Sequence, residues 1–341
     1  MTTIAFFDTK AYDRPHFDAL APQMGVSITY FESKLNEKTA SLAQGFDVVC
    51  AFVNDTISER VIDTLYEGGV RLIAMRCAGY NNIDFKAAFG KIHIVRVPAY
   101  SPHAVAEHAV ALLLSAVRHI HKSYARTREF NFSLTGLVGF DLSGKTVGVV
   151  GTGKIGRVFC DICRGFGMRI LAYDPYPATD LDVEYCSFEV LCRESDIISL
   201  HCPLTEESLH LIDRESIAWM KDGVVIINTS RGALIDSHAL LEGIRSKKIG
   251  SAALDVYEEE AELFYEDQSS TILSDDVLML LISMPNVLVT SHQAFLTEEA
   301  LSNIAATTMG SIDAFAKGAV MDHEICYRCD SCHKSEGKRC F

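Results

Sequence analysis

Positive charge is scarce in this 341-residue sequence, since 31 Lys and Arg residues stand against 45 Asp and Glu residues and the formal net charge is −14. Such an excess of negative charge opposes non-specific binding to nucleic acids and to anionic membrane surfaces. We therefore expect small-molecule partners, no nucleic acid and no membrane, with any anionic ligand held by a local site.

Long apolar runs and targeting signals are also lacking. The longest apolar stretch, residues 109–117, is far shorter than the roughly 20 residues that cross a bilayer. The first residues read as a β-strand that ends at Asp8, without the basic segment of a secretory signal. These features predict a cytoplasmic protein.

A disulfide framework is missing from most of the chain, although the sequence has 11 cysteines. An odd number of scattered cysteines in apolar context is typical of reduced core thiols. Seven have this context: Cys50, Cys77, Cys160, Cys163, Cys186, Cys192 and Cys202. The other four, Cys326, Cys329, Cys332 and Cys340, crowd into the last residues. Their C-x-x-C spacing leaves open a zinc or iron–sulfur site, a thiol-based redox or oligomer-linking role, or a flexible tail.

Short β-branched or aromatic runs alternate with helical lengths along the whole chain, which is the rhythm of βα units with parallel sheets. The predicted strands are residues 3–7, 27–31, 48–52, 72–75 and 93–97 in the first part, and 146–150, 168–173, 197–200, 224–228, 251–255 and 286–290 in the second. Between the two parts, Ser101 and Pro102 form a strong helix start, and one long helix over residues 103–129 is predicted to follow.

This pattern predicts an α/β protein of two Rossmann-like domains, each a doubly wound parallel sheet. A final helix over residues 297–317 has nothing of its own to pack on, so it is predicted to return to the first domain. The predicted division is therefore a discontinuous first domain of residues 1–100 and 293–325, a second domain of residues 101–292, and a cysteine-rich tail of residues 326–341.

The residues after the strand 146–150 form a glycine-rich loop, Gly151, Gly153 and Gly156, which opens a helix. Glycines at this spacing permit a tight turn, a close approach of the backbone to a pyrophosphate and close helix packing. Asp174 ends the next strand, where a carboxylate can accept a hydrogen bond from a ribose 2′-hydroxyl. The residues directly after Asp174, Pro-Tyr-Pro (175–177), offer no Arg or Lys to hold a 2′-phosphate, so the predicted cofactor is NAD rather than NADP. The domain of residues 101–292 is therefore the predicted NAD-binding domain, and the discontinuous first domain is the predicted substrate domain.

Two further side chains follow strands of the same predicted sheet, at the edge where ligands bind in such folds. Arg231 can grip a carboxylate with two charge-assisted bonds, although a surface salt bridge explains it equally well. His292 stands where an imidazole can act as a general acid near neutral pH, provided that a carboxylate holds its other ring nitrogen. The acidic run 258–260 can supply that carboxylate.

Several motifs together closely resemble the D-isomer-specific 2-hydroxyacid dehydrogenases, and among them the fermentative D-lactate dehydrogenases. The resemblance runs from Thr3 to about Gly318. The motifs are AGYNNID (78–84), VPAYSPHAVAEH (97–108), VVGTGKIG (149–156), NTSRGALID (228–236), LDVYE (254–258) and TSHQAF (290–295).

The resemblance implies a catalytic set of three residues. Arg231 would bind the substrate carboxylate, and His292 would protonate the carbonyl oxygen as hydride arrives from NADH. Glu260 would hydrogen-bond His292 and favour its imidazolium form, which leaves Glu258 and Glu259 as solvated neighbours.

Further roles follow from the same resemblance. The implied substrate pocket contains the backbone amides of Ala78 and Gly79, the side chain of Tyr100, and an apolar wall of Phe52 and Phe295. The implied cofactor contacts, beyond the glycines and Asp174, are Lys154, Ile155, Cys202, Pro203, Thr229, Ser230 and Asp255. A homodimer or homotetramer would form through the helix that starts at Ser101.

Two phenyl rings beside the reacting carbon leave room for a methyl side chain, so the predicted reaction is reduction of pyruvate to D-lactate, which regenerates NAD in fermentation. Two alternatives stay open from the sequence. One is a D-2-hydroxyacid dehydrogenase for larger 2-keto acids, and the other is a non-catalytic protein that senses NAD(H). No step of this chemistry requires a metal ion.

Overall fold

The computed structural model describes residues 1–260, 263–328 and 341. The chain divides into two compact units, one formed by Met1–Ser101 with Leu296–Phe341 and the other by Pro102–Phe295. None of the helices in the described part of the chain combines the length and the apolarity that a bilayer span requires.

The first unit is built on a parallel sheet of five strands in the order β2-β1-β3-β4-β5. Its strands are β1 (Thr2–Phe6), β2 (Val26–Tyr30), β3 (Val48–Ala51), β4 (Leu72–Met75) and β5 (His93–Val95), and its helices are α1 (Arg14–Met24), α2 (Glu59–Glu67), α3 (Phe85–Ala88) and α11 (Glu298–Ala316). The last helix packs against α1 and β4, where it buries side chains such as Leu301 and Ile304.

The edge strand β5 is covered by the segment that follows α11. The Ile325 amide donates to the Ile94 carbonyl at 2.9 Å, and Val95 pairs antiparallel with Glu324. Glu324 is 1% exposed, and its Oε1 lies 2.5 Å from Nδ1 of His93. Because an uncovered edge strand offers unpaired backbone groups to other chains, this segment protects the sheet from edge-to-edge association.

The second unit is built on a parallel sheet of seven strands in the order β12-β11-β10-β9-β6-β7-β8. Its strands are β6 (Thr146–Val150), β7 (Arg169–Tyr173), β8 (Glu184–Tyr185), β9 (Ile197–Leu200), β10 (Val224–Asn228), β11 (Ile249–Leu254) and β12 (Val287–Val289). Its helices are α4 (Pro102–Arg118), α5 (Ile120–Arg128), α6 (Lys154–Gly165), α7 (Phe188–Glu194), α8 (Arg214–Trp219), α9 (Ser237–Arg245) and α10 (Asp276–Ser283).

Apolar side chains cover both faces of the seven-stranded sheet. Val149 and Ile227 belong to the core cluster on one face, and Val150 and Ile226 belong to the cluster on the other. Strands covered on both faces carry continuous apolar runs rather than alternating ones, which is why their positions can be predicted from the sequence. The prediction of two parallel α/β domains is confirmed.

The predicted single helix over residues 103–129 is wrong. The chain forms two helices, α4 and α5, separated by His119 in the left-handed backbone region with φ of 53°. Glycine is the usual residue in that region, and a histidine there carries no recognisable break signal. The two-residue strand β8 was also missed, because it is too short to show a periodic pattern.

Candidate active site

The candidate residues of the second unit all follow strands of the seven-stranded sheet. The glycine loop follows β6, Asp174 follows β7, Cys202 follows β9, Arg231 follows β10, Asp255 and Glu260 follow β11, and His292 follows β12. Because every strand of the sheet is parallel, their carboxyl ends meet at one edge. The strands that come after β6 in the chain lie on both sides of it in the sheet, β7 on one side and β9 on the other. The glycine loop therefore lies at the point where the strand order reverses, which is where ligands bind in open α/β sheets.

The glycine loop has the close backbone contacts that its sequence predicts. Gly151 has φ of 93°, and a Cβ there would lie 2.8 Å from the amide nitrogen of Cys202 and from the carbonyl oxygen of His201. A Cβ on Gly156 would overlap the carbonyl oxygen of Gly151. Helix α6 begins at Lys154, so its first amides, which have no partner within a helix, face the loop and can bind a phosphate.

Two observations test whether these residues fit a dinucleotide. A Cβ on Gly153 would meet no described atom within 4 Å, so packing within the protein does not explain the glycine, whereas close approach of a ligand does. Thr229 Oγ1 is buried and has no hydrogen-bond partner among the described residues, and a cofactor hydroxyl would supply one. The residues therefore fit the predicted cofactor.

Arg231 is held by the loop that follows β10. Asn228, which is fully buried, donates from Nδ2 to the Arg231 carbonyl at 2.8 Å and accepts from the Ser230 amide at 3.0 Å. The Arg231 side chain is half-buried and donates from Nη1 to the Ser230 carbonyl at 2.6 Å. The next residue, Gly232, lies against the backbone of Tyr257, so the loop that carries Arg231 is in direct contact with the loop after β11.

We expect Gly232→Ala to weaken both folding and any activity that depends on Arg231. The added Cβ would overlap the backbone of Tyr257 and Glu258, and the free energy of unfolding should fall by about 1–3 kcal/mol. Urea unfolding of Gly232→Ala and of the control Gly165→Ala would measure this. Gly165 is exposed on α6, and a Cβ there would meet no described atom within 4 Å. The Gly165→Ala variant should therefore unfold at the same urea concentration as the parent protein or at a higher one. Equal stability of both variants would contradict the inferred close contact.

His292 and Glu260 form a pair at adjacent strand ends. Nδ1 of His292 lies 2.7 Å from Oε1 of Glu260, and the two side chains are 20% and 22% exposed. Glu260 is oriented by the Tyr257 amide, which donates to its Oε2 at 2.8 Å. His292 has φ of 52°, and its carbonyl accepts a bond from the Tyr265 hydroxyl at 2.9 Å. Because Nδ1 is engaged by Glu260, Nε2 is the ring nitrogen that can transfer a proton to a ligand.

Asp255 holds the loop that carries His292. It is fully buried, and its carboxylate accepts from the Thr290 hydroxyl at 2.5 Å and from the amides of Gln293 and Ala294 at 2.9 and 2.8 Å. Its carbonyl accepts from the His292 amide at 2.7 Å. Burial alone would raise the pKa of Asp255, but the bonds from His108, Thr290 and the two amides outweigh burial and lower it. Asp255 is therefore charged and positions the backbone around His292.

The interpretation of Glu258 as a solvated neighbour is wrong. Its side chain is 26% exposed, its Oε1 lies 2.5 Å from Nε2 of His210, and its Oε2 accepts from the Ser237 hydroxyl at 2.9 Å. These bonds hold the chain just before Glu260. Glu259 is exposed, as expected for a residue in an acidic run.

The candidates in the first unit follow β3, β4 and β5 of the five-stranded sheet. Phe52 is 6% exposed, its ring lies 4.6 Å from the guanidinium of Arg76, and its amide donates to Asp55 at 2.6 Å. Ala78 and Gly79 are half-buried, and their carbonyls accept bonds from Arg96 and from the Cys77 thiol. Tyr100 is half-buried, and its carbonyl accepts from Asn303 at 2.7 Å. In the second unit, Phe295 is 8% exposed.

The cysteine-rich tail falls mostly outside the described residues, since only Cys326 of its four cysteines is described, while Cys329, Cys332 and Cys340 are not. Among the residues that are described, no group of three or more His, Cys, Asp or Glu side chains could hold a metal ion. The metal and redox hypotheses for the tail stay predictions.

Sequence reasoning missed several residues that hold the site in place. His108, on α4, lies 3.3 Å from Asp255 and 3.2 Å from the Thr290 hydroxyl. Tyr265 and Arg76 were not singled out at all. His108 is part of the motif 97–108, so the motif held a signal, but nothing local to Tyr265 or Arg76 shows which residues they contact.

Comparisons with known proteins agree with the interpretation of the site geometry. The family described as "D-isomer specific 2-hydroxyacid dehydrogenase, NAD binding domain" matches residues 110–294. The D-lactate dehydrogenase of Escherichia coli is 50% identical over 327 residues, which cover 94% of this chain and 99% of that protein.

Solved structures give the same result. The apo-structure of D-lactate dehydrogenase from Escherichia coli superposes with a TM-score of 0.88 at 47% identity, covering 95% of this chain and 100% of that one. A structure described as the pyruvate reductase of Chlamydomonas reinhardtii superposes with a TM-score of 0.88 at 43% identity, covering 93% and 97%. The predicted NAD cofactor is confirmed by the matching NAD-binding domain.

Proposed function

The chain belongs to the D-isomer-specific 2-hydroxyacid dehydrogenases, and we propose that it reduces pyruvate to D-lactate with NADH and so regenerates NAD during fermentation. The membership confirms the resemblance that the sequence motifs carry. The relatives named above are described as acting on D-lactate or pyruvate, which supports pyruvate over larger 2-keto acids and over a non-catalytic NAD(H) sensor.

The observation that carries this proposal is the pair of His292 and Glu260 beside the Arg231 loop. The pair is 2.7 Å apart, and its two members follow β12 and β11, while Arg231 follows the next strand, β10. A cation that can bind a carboxylate and a proton donor held by an anion are the two groups that reduction of a 2-keto acid requires.

Each residue of this set has a separate task. Bound NADH supplies the hydride. Arg231 binds the substrate carboxylate with two parallel N–H donors and orients the keto group. His292 donates the proton at Nε2 to the carbonyl oxygen, and Glu260 stabilises the imidazolium and fixes the ring orientation through Nδ1. Substrate-binding roles for Ala78, Gly79, Tyr100, Phe52 and Phe295 stay predictions from the resemblance.

The test is NADH oxidation by the purified protein with pyruvate, phenylpyruvate and 2-ketoisocaproate, followed by chiral analysis of the product. We expect the highest kcat/KM with pyruvate and a product that is D-lactate. Preference for a larger acid would keep the reaction but replace the substrate, whereas tight NADH binding without turnover would overturn the proposed catalysis.

We also propose that two copies of the chain associate through α4 and the segment that follows α5 in the second unit. The apolar face of α4 is buried within its own unit, and an exposed stripe of His103, Glu107 and Ala111 is left on the helix. The segment after α5 exposes large apolar side chains: Phe130, Phe132, Leu134 and Val138 are 84%, 71%, 78% and 87% exposed. Large apolar side chains that are exposed together on one short segment are typical of association surfaces.

Light scattering after size exclusion tests this association. The parent protein should have the mass of a dimer or a larger even assembly, and the double variant Phe130→Asp with Phe132→Asp should have a lower mass. Leu42→Asp, at an exposed apolar position of the first unit, is the control. A monomeric parent, or an unchanged mass in the double variant, would contradict the proposed interface.

We propose that the protein is located in the cytoplasm, because its described thiols are not joined in disulfides. The described cysteines, Cys50, Cys77, Cys160, Cys163, Cys186, Cys192, Cys202 and Cys326, form no disulfide with one another. Thiols that are not joined in disulfides persist in reducing compartments, which supports the cytoplasm.

A further inference from the structure

Asp174 is held more firmly than a cofactor contact alone requires. Its Oδ2 accepts two bonds from one residue of the glycine loop, from the Thr152 amide at 2.7 Å and from the Thr152 hydroxyl at 2.9 Å. Its Oδ1 accepts one bond, from the Tyr176 amide at 2.8 Å. The loop after β6 and the residue after β7 are thereby joined through a single carboxylate.

The Thr152 hydroxyl is itself held by Tyr185 on the edge strand β8. The Tyr185 hydroxyl donates to Thr152 Oγ1 at 2.9 Å and accepts from the Ala178 amide at 3.0 Å. In the sheet β8 pairs with β7, and β7 pairs with β6. The phenol of Tyr185 therefore reaches past β7 to the glycine loop and connects the ends of three consecutive strands.

The donor and the acceptor of each hydrogen bond in this series are determined by the groups at its two ends, the Asp174 carboxylate and the Ala178 amide. An ionised carboxylate can only accept, so the Thr152 hydroxyl must donate to Asp174. Because a hydroxyl has one hydrogen, Thr152 must then accept from Tyr185, and the backbone amide of Ala178 can only donate. All the donors point toward Asp174, and hydrogen bonds aligned in this way polarise and strengthen one another.

The two carboxylate oxygens of Asp174 differ in how many further hydrogen bonds they can accept. A carboxylate oxygen has two lone pairs, so the two Thr152 donors saturate Oδ2. Among the described residues Oδ1 accepts only the Tyr176 amide, which leaves it one lone pair for a ribose hydroxyl. Since Oδ2 is fixed, the carboxylate cannot rotate its charge away from a 2′-phosphate, and the two negative groups repel.

From these contacts we infer that Tyr185 is a positioning residue for cofactor selectivity, acting through Thr152 to orient Asp174 toward the ribose of NAD and against the 2′-phosphate of NADP. This inference rests on the proposed role of Asp174 as the ribose acceptor. It places a determinant of selectivity on an edge strand outside the glycine loop and outside the residues that follow Asp174.

Fluorescence titration of the purified protein with NADH and with NADPH tests the inference directly, without turnover. Tyr185→Phe removes the hydroxyl and keeps the ring, so we expect the Kd for NADH to rise about threefold to tenfold, the loss expected for one hydrogen bond. The Kd for NADPH should stay the same or fall, so the preference for NADH shrinks. With pyruvate, KM for NADH should rise while kcat at saturating NADH stays within about twofold of the parent value.

Thr152 supplies the matched variants. Thr152→Val removes the hydroxyl and should weaken NADH binding. Adding Tyr185→Phe to it should change the Kd little further, because the series of hydrogen bonds from Tyr185 to Asp174 is already interrupted at Thr152. Thr152→Ser keeps the hydroxyl and should bind NADH as the parent protein does. Tyr66→Phe, on the partly exposed helix α2 of the first unit, controls for the loss of a phenol elsewhere.

The outcomes separate this inference from the role of Asp174. If Asp174→Ala weakens NADH binding and Tyr185→Phe does not, Tyr185 has no positioning role. An equal loss of NADH and NADPH binding together with a lowered Tm in Tyr185→Phe would assign Tyr185 a structural role only. Additive effects of Tyr185→Phe and Thr152→Val would show that the two hydroxyls act separately. Unchanged NADH binding in Asp174→Ala would overturn the role of Asp174 itself.

Discussion

Replacing His292 with Ala should lower kcat for pyruvate reduction by about 10²–10⁴-fold, the usual contribution of a positioned general acid. NADH binding should change little, because the proposed cofactor contacts lie on the other strand ends of the sheet. Stopped-flow kinetics and fluorescence titration with NADH would measure the two quantities on the same protein. His238→Ala, at an exposed position of α9, is the control.

The backbone at His292 requires a second variant. With φ of 52°, residue 292 lies in a region that Asn adopts more readily than most residues, so His292→Asn keeps the loop conformation and removes the proton donor. Both variants should lose turnover equally. Recovery of activity in His292→Asn, or loss of NADH binding together with turnover, would show that His292 acts on the structure rather than on the proton transfer.

Arg231→Lys should raise KM for pyruvate by about 10- to 100-fold, because an ammonium group cannot reproduce two parallel N–H donors to a carboxylate. The charge is retained, so the change isolates the geometry of the contact. The guanidinium bond to the Ser230 carbonyl is lost or replaced, but the two bonds of the Asn228 side chain to the Arg231 carbonyl and the Ser230 amide remain, so the loop should keep its conformation.

Steady-state kinetics with varied pyruvate at saturating NADH would measure the effect. Arg245→Lys, exposed in the last turn of α9, is the control and should leave KM unchanged. A nearly unchanged KM in Arg231→Lys would remove Arg231 from the substrate site and return it to the alternative of a structural contact.

Strand positions are the part of the fold that the sequence predicts best. The predicted limits 72–75, 146–150, 197–200 and 224–228 coincide with β4, β6, β9 and β10. Each is a run of mostly apolar residues in which every position is buried, so burial leaves a continuous mark in the sequence. Where burial leaves no such mark the predictions fail, as at β8 and at the helix break at His119.

The candidate site also has a part that local sequence predicts and a part that it does not. The motifs around Gly151, Arg231 and His292 each lie just after a strand, so their residue types and their place at a strand end can be predicted from local sequence. The contacts of Asp255 with His108, of Glu258 with His210 and of Tyr185 with Thr152 cannot, because each joins elements that are distant along the chain.

By itself, then, the sequence determined the two parallel α/β units and the glycine loop, and it supplied Asp174, Arg231, Glu260 and His292 as candidates. Only the tertiary structure decided that β10, β11 and β12 are neighbours in that order, which brings Arg231, Glu260 and His292 to consecutive strand ends. Local apolar patterning sets where a strand forms, because burial acts on each segment separately. Strand order and the polar contacts that orient the side chains depend on packing between segments, and no single segment of the sequence contains that information.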